Sequence, residues 1–488
     1  MFINYKIVFN IIGIVIFFLG LLMCFPGIYA FIVNSYDATG IFIASGSSVI
    51  FGAMLFYFTK SENKSIGKRE GYLIVSLAWI FTSLVCAAPY IFAGACSQYV
   101  NAFFESISGL TTTGATIFTD IEALPQGILL WRSMTQWIGG MGIIVLTVAI
   151  FPLLGIGGVE LFVAESPGPT SNKIHPRIKE TAKRLWLLYV CITLILIVVL
   201  FLEGMTAYDA LNHGLTTIAT GGFSTKNASI AHFTSPLIQY TIIFFMFLAG
   251  TNYSLIYAGV KGKFSKVWAS DEFKAYVFFV CITVFMITLS IYNTTDRGLE
   301  SSFRAAAFQI ISIITTTGFV SADYTSWHPS TTMFFFFLLF AGGCAGSTAG
   351  GIKFIRHLVF AKNSFLEFKR LLHPNSLIRI RIDGNLVAPK ILTHVLVFLL
   401  IYLIIFFLGT FVMSFILVDF EQPLLSAAGS VATSLGNVGP AIGQLGPVDN
   451  FAQVPAAGKC VLAFIMLLGR LELFSILILF TPYFWRIN

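Results

Sequence analysis

Charge is scarce in this sequence. Of 488 residues only 10% are Asp, Glu, Lys or Arg, where a soluble globular protein carries about 25%. Apolar residues make up 57% and phenylalanine alone fills 51 positions. That much apolar surface calls for a bilayer as solvent. Cysteines are few and solitary: Cys24, Cys86, Cys96, Cys191, Cys281, Cys344 and Cys460. With no CxxC pair and no Cys/His cluster, neither a zinc site nor a disulfide framework is supported. HExxH, GxSxG, paired intramembrane Asp and carrier-lipid motifs are also missing, which argues against a membrane enzyme. The first apolar stretch, 7–33, is too long for a signal-peptide core and reads as a retained helix.

What is present is a series of long apolar runs. Ten of them, 7–33, 39–58, 72–94, 128–154, 185–203, 234–258, 274–292, 331–361, 391–418 and 457–484, approach or exceed the roughly 20 residues that cross a bilayer. Between some lie shorter semi-polar segments at 99–112, 207–220, 301–316 and 423–435. These are too short to span and are expected to be re-entrant half-helices.

The net charge of +7 is unevenly placed. The segments 59–71, 173–184, 261–274 and 353–390 hold 4, 5, 4 and 8 Lys/Arg, and with Lys6 and Arg486 they put 23 of 29 basic residues on one side. The positive-inside rule makes that side cytoplasmic, with both termini inside. The basic linkers therefore serve topology and lipid headgroups rather than nucleic acid. Asp37, Glu105, Asp120, Glu122, Glu203, Asp209, Asp296, Glu300, Asp323, Asp419, Glu421 and Asp449 fall on the other side. An acidic outer face is an ordinary solvated surface that would also concentrate cations at a pore mouth.

Each semi-polar segment ends in a similar string: Thr111-Thr112-Thr113-Gly114-Ala115, Ala219-Thr220-Gly221-Gly222-Phe223, Thr315-Thr316-Thr317-Gly318-Phe319 and Thr433-Ser434-Leu435-Gly436-Asn437. Aligned on Gly114, Gly222, Gly318 and Gly436, the strings lie 108, 96 and 118 residues apart. The chain thus predicts four copies of span, half-helix, glycine-bearing loop and span, with two further helices before residue 63. The expected units are 1–62, 63–165, 166–262, 263–370 and 371–488. Non-helical backbone at membrane depth survives only where protein buries it or water solvates it. Four such loops around one axis would form rings of carbonyl oxygens that replace a monovalent cation's hydration shell. Half-helix C-termini, partially negative, would favour the same ion. The expected fold is an all-α membrane protein with four pseudo-symmetric helix–pore-loop–helix repeats around a central cation pore. Even, like-oriented repeats argue against an inverted-repeat secondary transporter.

These four strings, with the stretch Trp131-Arg132-Ser133-Met134-Thr135-Gln136-Trp137-Ile138-Gly139-Gly140-Met141-Gly142, the run GGCAGSTAGGIK at 342–353 and LGRLELF at 468–474, resemble the Trk/Ktr/HKT superfamily of potassium transporters over essentially the whole chain. The two extra N-terminal helices favour its TrkH branch over the shorter KtrB type. The resemblance implies a pseudo-fourfold pore in one chain, a homodimer, and a cytoplasmic nucleotide-binding regulator of TrkA type. A separate regulator would suit short basic linkers and a chain with no nucleotide motif of its own. K+ is the implied substrate, because a Ser at the first filter Gly accompanies sodium preference in the plant branch and this chain keeps Gly. A sodium-permeable or non-selective channel or symporter of the same fold remains the alternative. The implied filter residues are Thr112, Thr113, Gly114, Thr220, Gly221, Gly222, Thr316, Thr317, Gly318, Ser434, Leu435, Gly436 and Asn437. Gly221 in place of Thr, and Leu435 with Asn437, depart from strict symmetry.

Two features lie on the inner side of these strings. The run 342–351 lacks the Gly-Lys-Ser/Thr ending of a phosphate-binding loop, since Lys353 is displaced. It reads either as close helix packing through small residues or, as the resemblance implies, as a plug containing Gly346, Ser347 and Thr348. Arg470 sits mid-span, at a cost on the order of 3 kcal/mol, and stays charged. It reads as a link to neighbouring helix ends or as a barrier on the pore wall beside the plug. Glu472, two residues on, faces another side of a helix. His213 and Asp209 on the second half-helix are expected to pack rather than relay protons.

Overall fold

In the computed structural model, residues 3–60, 67–142, 178–373, 375–376 and 378–486 are described. Two antiparallel helices, α1 (Tyr5–Ile32) and α2 (Ala38–Phe58), come first. Gly13, Gly20 and Gly52 sit on their seam, where an added Cβ would meet the facing backbone closer than 3.0 Å. Small residues let helix backbones approach in this way where no hydrophobic drive between helices exists.

The first repeat then runs through α3 (Lys68–Cys86), α4 (Ala88–Phe92), the half-helix α5 (Tyr99–Leu110) and α6 (Gln126–Trp137). The second has α7 (Ile178–Leu202), half-helix α8 (Ala207–Ile218), α9 (Pro236–Ala249) and α10 (Tyr253–Val260), followed by the short α11 (Phe264–Ala269). The third has α12 (Asp271–Thr294), half-helix α13 (Leu299–Ile314), α14 (Pro329–Leu338) and α15 (Phe354–Leu372). A small hairpin of β1 (Arg381–Ile382) and β2 (Asn385–Leu386) follows, turned by Asp383 and Gly384, both at positive φ. The fourth repeat has α16 (Pro389–Ile416), half-helix α17 (Pro423–Gly436), α18 (Ala456–Arg470), α19 (Phe474–Leu477) and α20 (Pro482–Trp485).

The half-helices fall where the semi-polar segments predict them, and their inner ends are buried in protein rather than lipid. The first helices of the second, third and fourth repeats face outward, whereas α3 is mostly buried and packs against α1. Along α16, Phe407, Phe411 and Phe415 at four-residue spacing are exposed, while Tyr402, Phe406 and Met413 are buried. One face of such a helix meets lipid and the other the bundle.

The last spans of the repeats differ from expectation. Among the described residues six helices are long and apolar enough to cross a membrane, or eight if each bent pair counts as one span. The stretch 234–258 bends by 109° between α9 and α10, and 457–484 bends by 107° after Arg470. The stretch 331–361 is two helices joined by a loop, and α6 passes into a π turn at Ile138–Gly142. The rest of the 128–154 run, part of the linkers 59–71 and 173–184, and the boundary expected at 165/166 lie outside the described residues. So the break read from the sequence in the third repeat recurs in the second and fourth. Hydropathy misses it because buried broken backbone needs no polar side chains.

The seam of α1 and α2 offers a direct check. Gly20→Leu should overpack it at a cost of about 1–3 kcal/mol, seen as a lower unfolding temperature in detergent. Gly46, with nothing within 4 Å of an added Cβ, should accept Leu with no such change.

Candidate cation pore

Each half-helix ends in the same backbone move. Thr112, Thr220, Thr316 and Asn437 are left-handed, at φ +53°, +54°, +55° and +54°, and two residues later Gly114, Gly222, Gly318 and Gly439 take φ +82°, +81°, +80° and +100°. The intervening amide returns to the half-helix in every copy: Thr113 N to Ser108 O (2.9 Å), Gly221 N to Thr216 O (2.9 Å), Thr317 N to Ser312 O (2.8 Å) and Val438 N to Thr433 O (3.0 Å). A β-branched threonine in this region is strained by about 1–3 kcal/mol and persists only where its surroundings enforce it.

This superposition corrects the register of the fourth string. Ser434, Leu435 and Gly436 form the last turn of α17, and the counterpart of Gly114, Gly222 and Gly318 is Gly439, three residues beyond Gly436. Asparagine tolerates the left-handed region, so Asn437 ends its helix where threonine ends the other three.

The four loops close into a ring. A Cβ on Gly114 would fall against Gly221 O, on Gly222 against Thr317 O, on Gly318 against Val438 O, and on Gly439 against Thr113 O, each closer than 3.0 Å. The order is cyclic: every glycine packs on a backbone carbonyl of the next repeat, and the fourth returns to the first. Only glycine permits both the positive φ and this approach. Asn437 adds a bond across the closure, its Nδ2 donating to Thr113 Oγ1 at 3.0 Å and to Met466 O at 3.0 Å.

The departure at Gly221 has a cause. Gln136 brackets the second loop, its Nε2 donating to Gly221 O (2.5 Å) and its Oε1 accepting from Phe223 N (3.0 Å). A Cβ at Gly221 would land on the Gln136 amide. Gln136 occupies the space that Thr113 and Thr317 fill in their own repeats, a role its sequence does not disclose.

Behind the first two loops lies a buried ion pair, Arg132 Nε to Glu105 Oε1 at 2.8 Å, with side chains 1% and 0% exposed. Glu105 also accepts from Ile117 N (2.9 Å) and Thr116 Oγ1 (3.0 Å), and Arg132 donates to Ser224 O (3.3 Å). The guanidinium lies over Phe223, 4.1 Å from its ring centre. The pair thereby staples loop one to loop two. Glu105, Asp37 and Asp209 therefore do not belong to a solvated acidic face; all three are buried, and Asp37 caps α6 by accepting from Ile128 N at 2.8 Å. His213 is held at both nitrogens, by Asp209 O at 2.8 Å and Ser224 Oγ at 2.9 Å.

Beneath the ring runs the segment 339–353. Gly350 N donates to Thr316 Oγ1 (2.6 Å), Thr348 Oγ1 to Ile218 O (3.1 Å) and Ala249 O (3.2 Å), and Cys344 N to Gly250 O (2.8 Å). Gly346 O accepts from Tyr253 N at 3.1 Å, and Ser347 Oγ donates to Cys344 O at 2.7 Å. Arg470 Nη1 donates to Thr348 O (2.9 Å) and Nη2 to Gly139 O (2.7 Å) and Gly140 O (2.8 Å). Arg470 thus joins the π turn of the first repeat to the segment of the third. Glu472 pairs instead with Arg356. Glu272, at the start of α12, holds both ends of the segment with one oxygen, accepting from Ala345 N (2.7 Å) and Ile355 N (3.1 Å).

A family model described as TrkH, cation transport protein, matches residues 38–487. The chain belongs to the TrkH family. It is 39% identical over 488 residues to the Trk system potassium uptake protein TrkH of Escherichia coli K12, covering 99% of this chain and all of that one. The Trk system potassium uptake protein TrkG of the same strain is 33% identical over 99% of both chains. The crystal structure of the potassium transporter TrkH from Vibrio parahaemolyticus superposes with a TM-score of 0.88 at 34% identity, covering 99% of this chain and 100% of that one. This TrkH-family chain is accordingly a multi-pass membrane protein of a cation transport family rather than an enzyme.

Breaking a buried ion pair by removing one partner costs about 3–5 kcal/mol. Glu105→Ala should therefore lower the unfolding temperature in detergent sharply. Glu105→Leu combined with Arg132→Met should recover much of the loss, because no buried charge is left alone.

Proposed function

We propose that this chain takes up potassium across the bacterial cytoplasmic membrane through a filter built from the four loops. The cyclic glycine–carbonyl ring carries the reading, in a family whose curated relatives are named potassium uptake proteins. The filter carbonyls are those of Thr112, Thr113 and Gly114, Thr220, Gly221 and Gly222, Thr316, Thr317 and Gly318, and Asn437, Val438 and Gly439. The last three replace the assignment to Ser434, Leu435 and Gly436. Potassium sheds its hydration shell at lower cost than sodium, so a ring of neutral carbonyls suits it. The C-termini of α5, α8, α13 and α17 add partial negative charge along the same axis.

The segment 342–351 and Arg470 form the gate. Gly346, Ser347 and Thr348 cross beneath the filter, and Arg470 fixes Thr348 while placing a permanent cation in the ion's path. The concentration of basic residues in the linkers supports an orientation with both termini cytoplasmic. It also supports docking of a soluble nucleotide-binding regulator of TrkA type on a homodimer of this chain.

Flux in liposomes, with potassium or rubidium against sodium, tests the filter. Ser at Gly114, Gly222, Gly318 or Gly439 should each lower the potassium-to-sodium ratio by about tenfold, equivalent to ~1.4 kcal/mol of differential ion stabilisation. An unchanged ratio in all four overturns the filter, and a wild-type ratio near one favours the non-selective cation reading.

The gate makes a separate prediction. Arg470→Ala should raise potassium flux severalfold at an unaltered potassium-to-sodium ratio, because the charge and the clamp on Thr348 go while the ring stays. A folded variant conducting at the wild-type rate would move the gate elsewhere.

A further inference from the structure

The 109° bend after Ala249 turns α10 nearly perpendicular to α9. From the end of α10 at Val260 the chain passes Lys261 and Lys263 into α11, which carries Phe264, Lys266 and Trp268, just before α12 begins at Asp271. Val260, Phe264 and Trp268 are 72%, 64% and 58% exposed, and the three lysines are exposed among them. Alternating lysines and large apolar side chains at the end of a span suit the headgroup layer, where the rings sit at the acyl boundary and the ammonium groups reach phosphate.

A cavity of about 580 Å³ opens beside this elbow, walled by Lys261, Lys263, Lys266 and by Arg184 of α7. None of these four cations forms an ion pair among the described residues. The two carboxylates on the wall are committed elsewhere: Glu272 to the amides of Ala345 and Ile355, and Asp383 to Asp271 N at 2.6 Å. The cavity thus presents a surplus of positive charge, four cations against two carboxylates held by backbone amides.

We propose that this cavity binds the phosphate headgroup of an anionic phospholipid, with Phe264 and Trp268 lying against the acyl chains. The proposal rests on the orientation given above, which puts these linkers on the anionic cytoplasmic leaflet. Its wall is also the anchorage of the segment beneath the filter. Asn252 lines the cavity, caps α10 through Ser254 N (2.8 Å) and faces Gly346, while Glu272 and Ile355 line it from the other end of that segment. A bound headgroup therefore stabilises the elbow on which the segment 345–355 is hung.

The test uses the purified full chain, stripped of lipid and titrated with phosphatidylglycerol or phosphatidylcholine, bound lipid being counted by native mass spectrometry. Phosphatidylglycerol should be retained in preference. Lys261→Gln with Lys263→Gln and Lys266→Gln should weaken that retention about a hundredfold, from three lysines at the strength typical of this interface, without altering phosphatidylcholine. Equal retention by wild type and triple variant overturns the site. Displacement of phosphatidylglycerol by inorganic phosphate reassigns it to a free anion, and capture of a polyglutamate peptide with no lipid retention reassigns it to an acidic protein; either outcome overturns the lipid assignment. Flux in liposomes separates the coupling from the site. Phosphatidylglycerol should change wild-type potassium flux and leave the triple variant unchanged, and lost binding with a persisting flux response would remove the link to the gate alone.

Discussion

A backbone that leaves the helix inside a membrane must find a partner for every amide and carbonyl it releases. Among the described residues this chain leaves the helix seven times at depth, in four loops and three broken spans, and several buried polar residues answer that demand. Gln136 serves the second loop, Asn437 the fourth, Glu272 the two ends of the segment under the ring, and Arg470 three carbonyls at once.

Charge inside the bundle follows the same logic. Arg470 donates to three backbone carbonyls, so its cation meets the negative ends of backbone dipoles. Arg132 has a counter-charge in Glu105, but both also hold backbone of the first two loops. Arg356 pairs with Glu472 and lies 3.8 Å from the centre of the Phe398 ring. The turn at Glu472 and Leu473 is left-handed at both residues, φ +53° and +58°. Strain of about 1–3 kcal/mol at each is tolerated where the last span must reverse beside Arg470.

The half-helices were legible because amphipathic length and a terminal glycine string are both written in local sequence. Three of the four loops were legible for the same reason. The fourth was displaced because its glycine nearest the Thr-Ser pair, Gly436, is a helical residue, while Asn437 takes the left-handed position. The step of Asn437, Val438 and Gly439 matches Thr112, Thr113 and Gly114, and that spacing was the available signal. Depth was not legible: counting charges along the chain cannot separate Glu105, buried against Arg132, from the exposed Asp120. Nor could hydropathy show that two further spans break or that α6 passes into a π turn. The glycines at those places, Gly139, Gly250, Gly342 and Gly469, leave room for facing side chains and carbonyls that an added Cβ would strike.

One consequence of the cyclic packing concerns how such a ring can vary. A pore assembled from four identical chains changes in all quadrants when one codon changes. Here each quadrant has its own codons, and the second already differs from the first and third by trading a threonine side chain for the Gln136 amide. The carbonyl contacts survive that trade because they are made by main chain. Chemical identity around the rim can therefore change quarter by quarter while the main-chain geometry of the opening is kept.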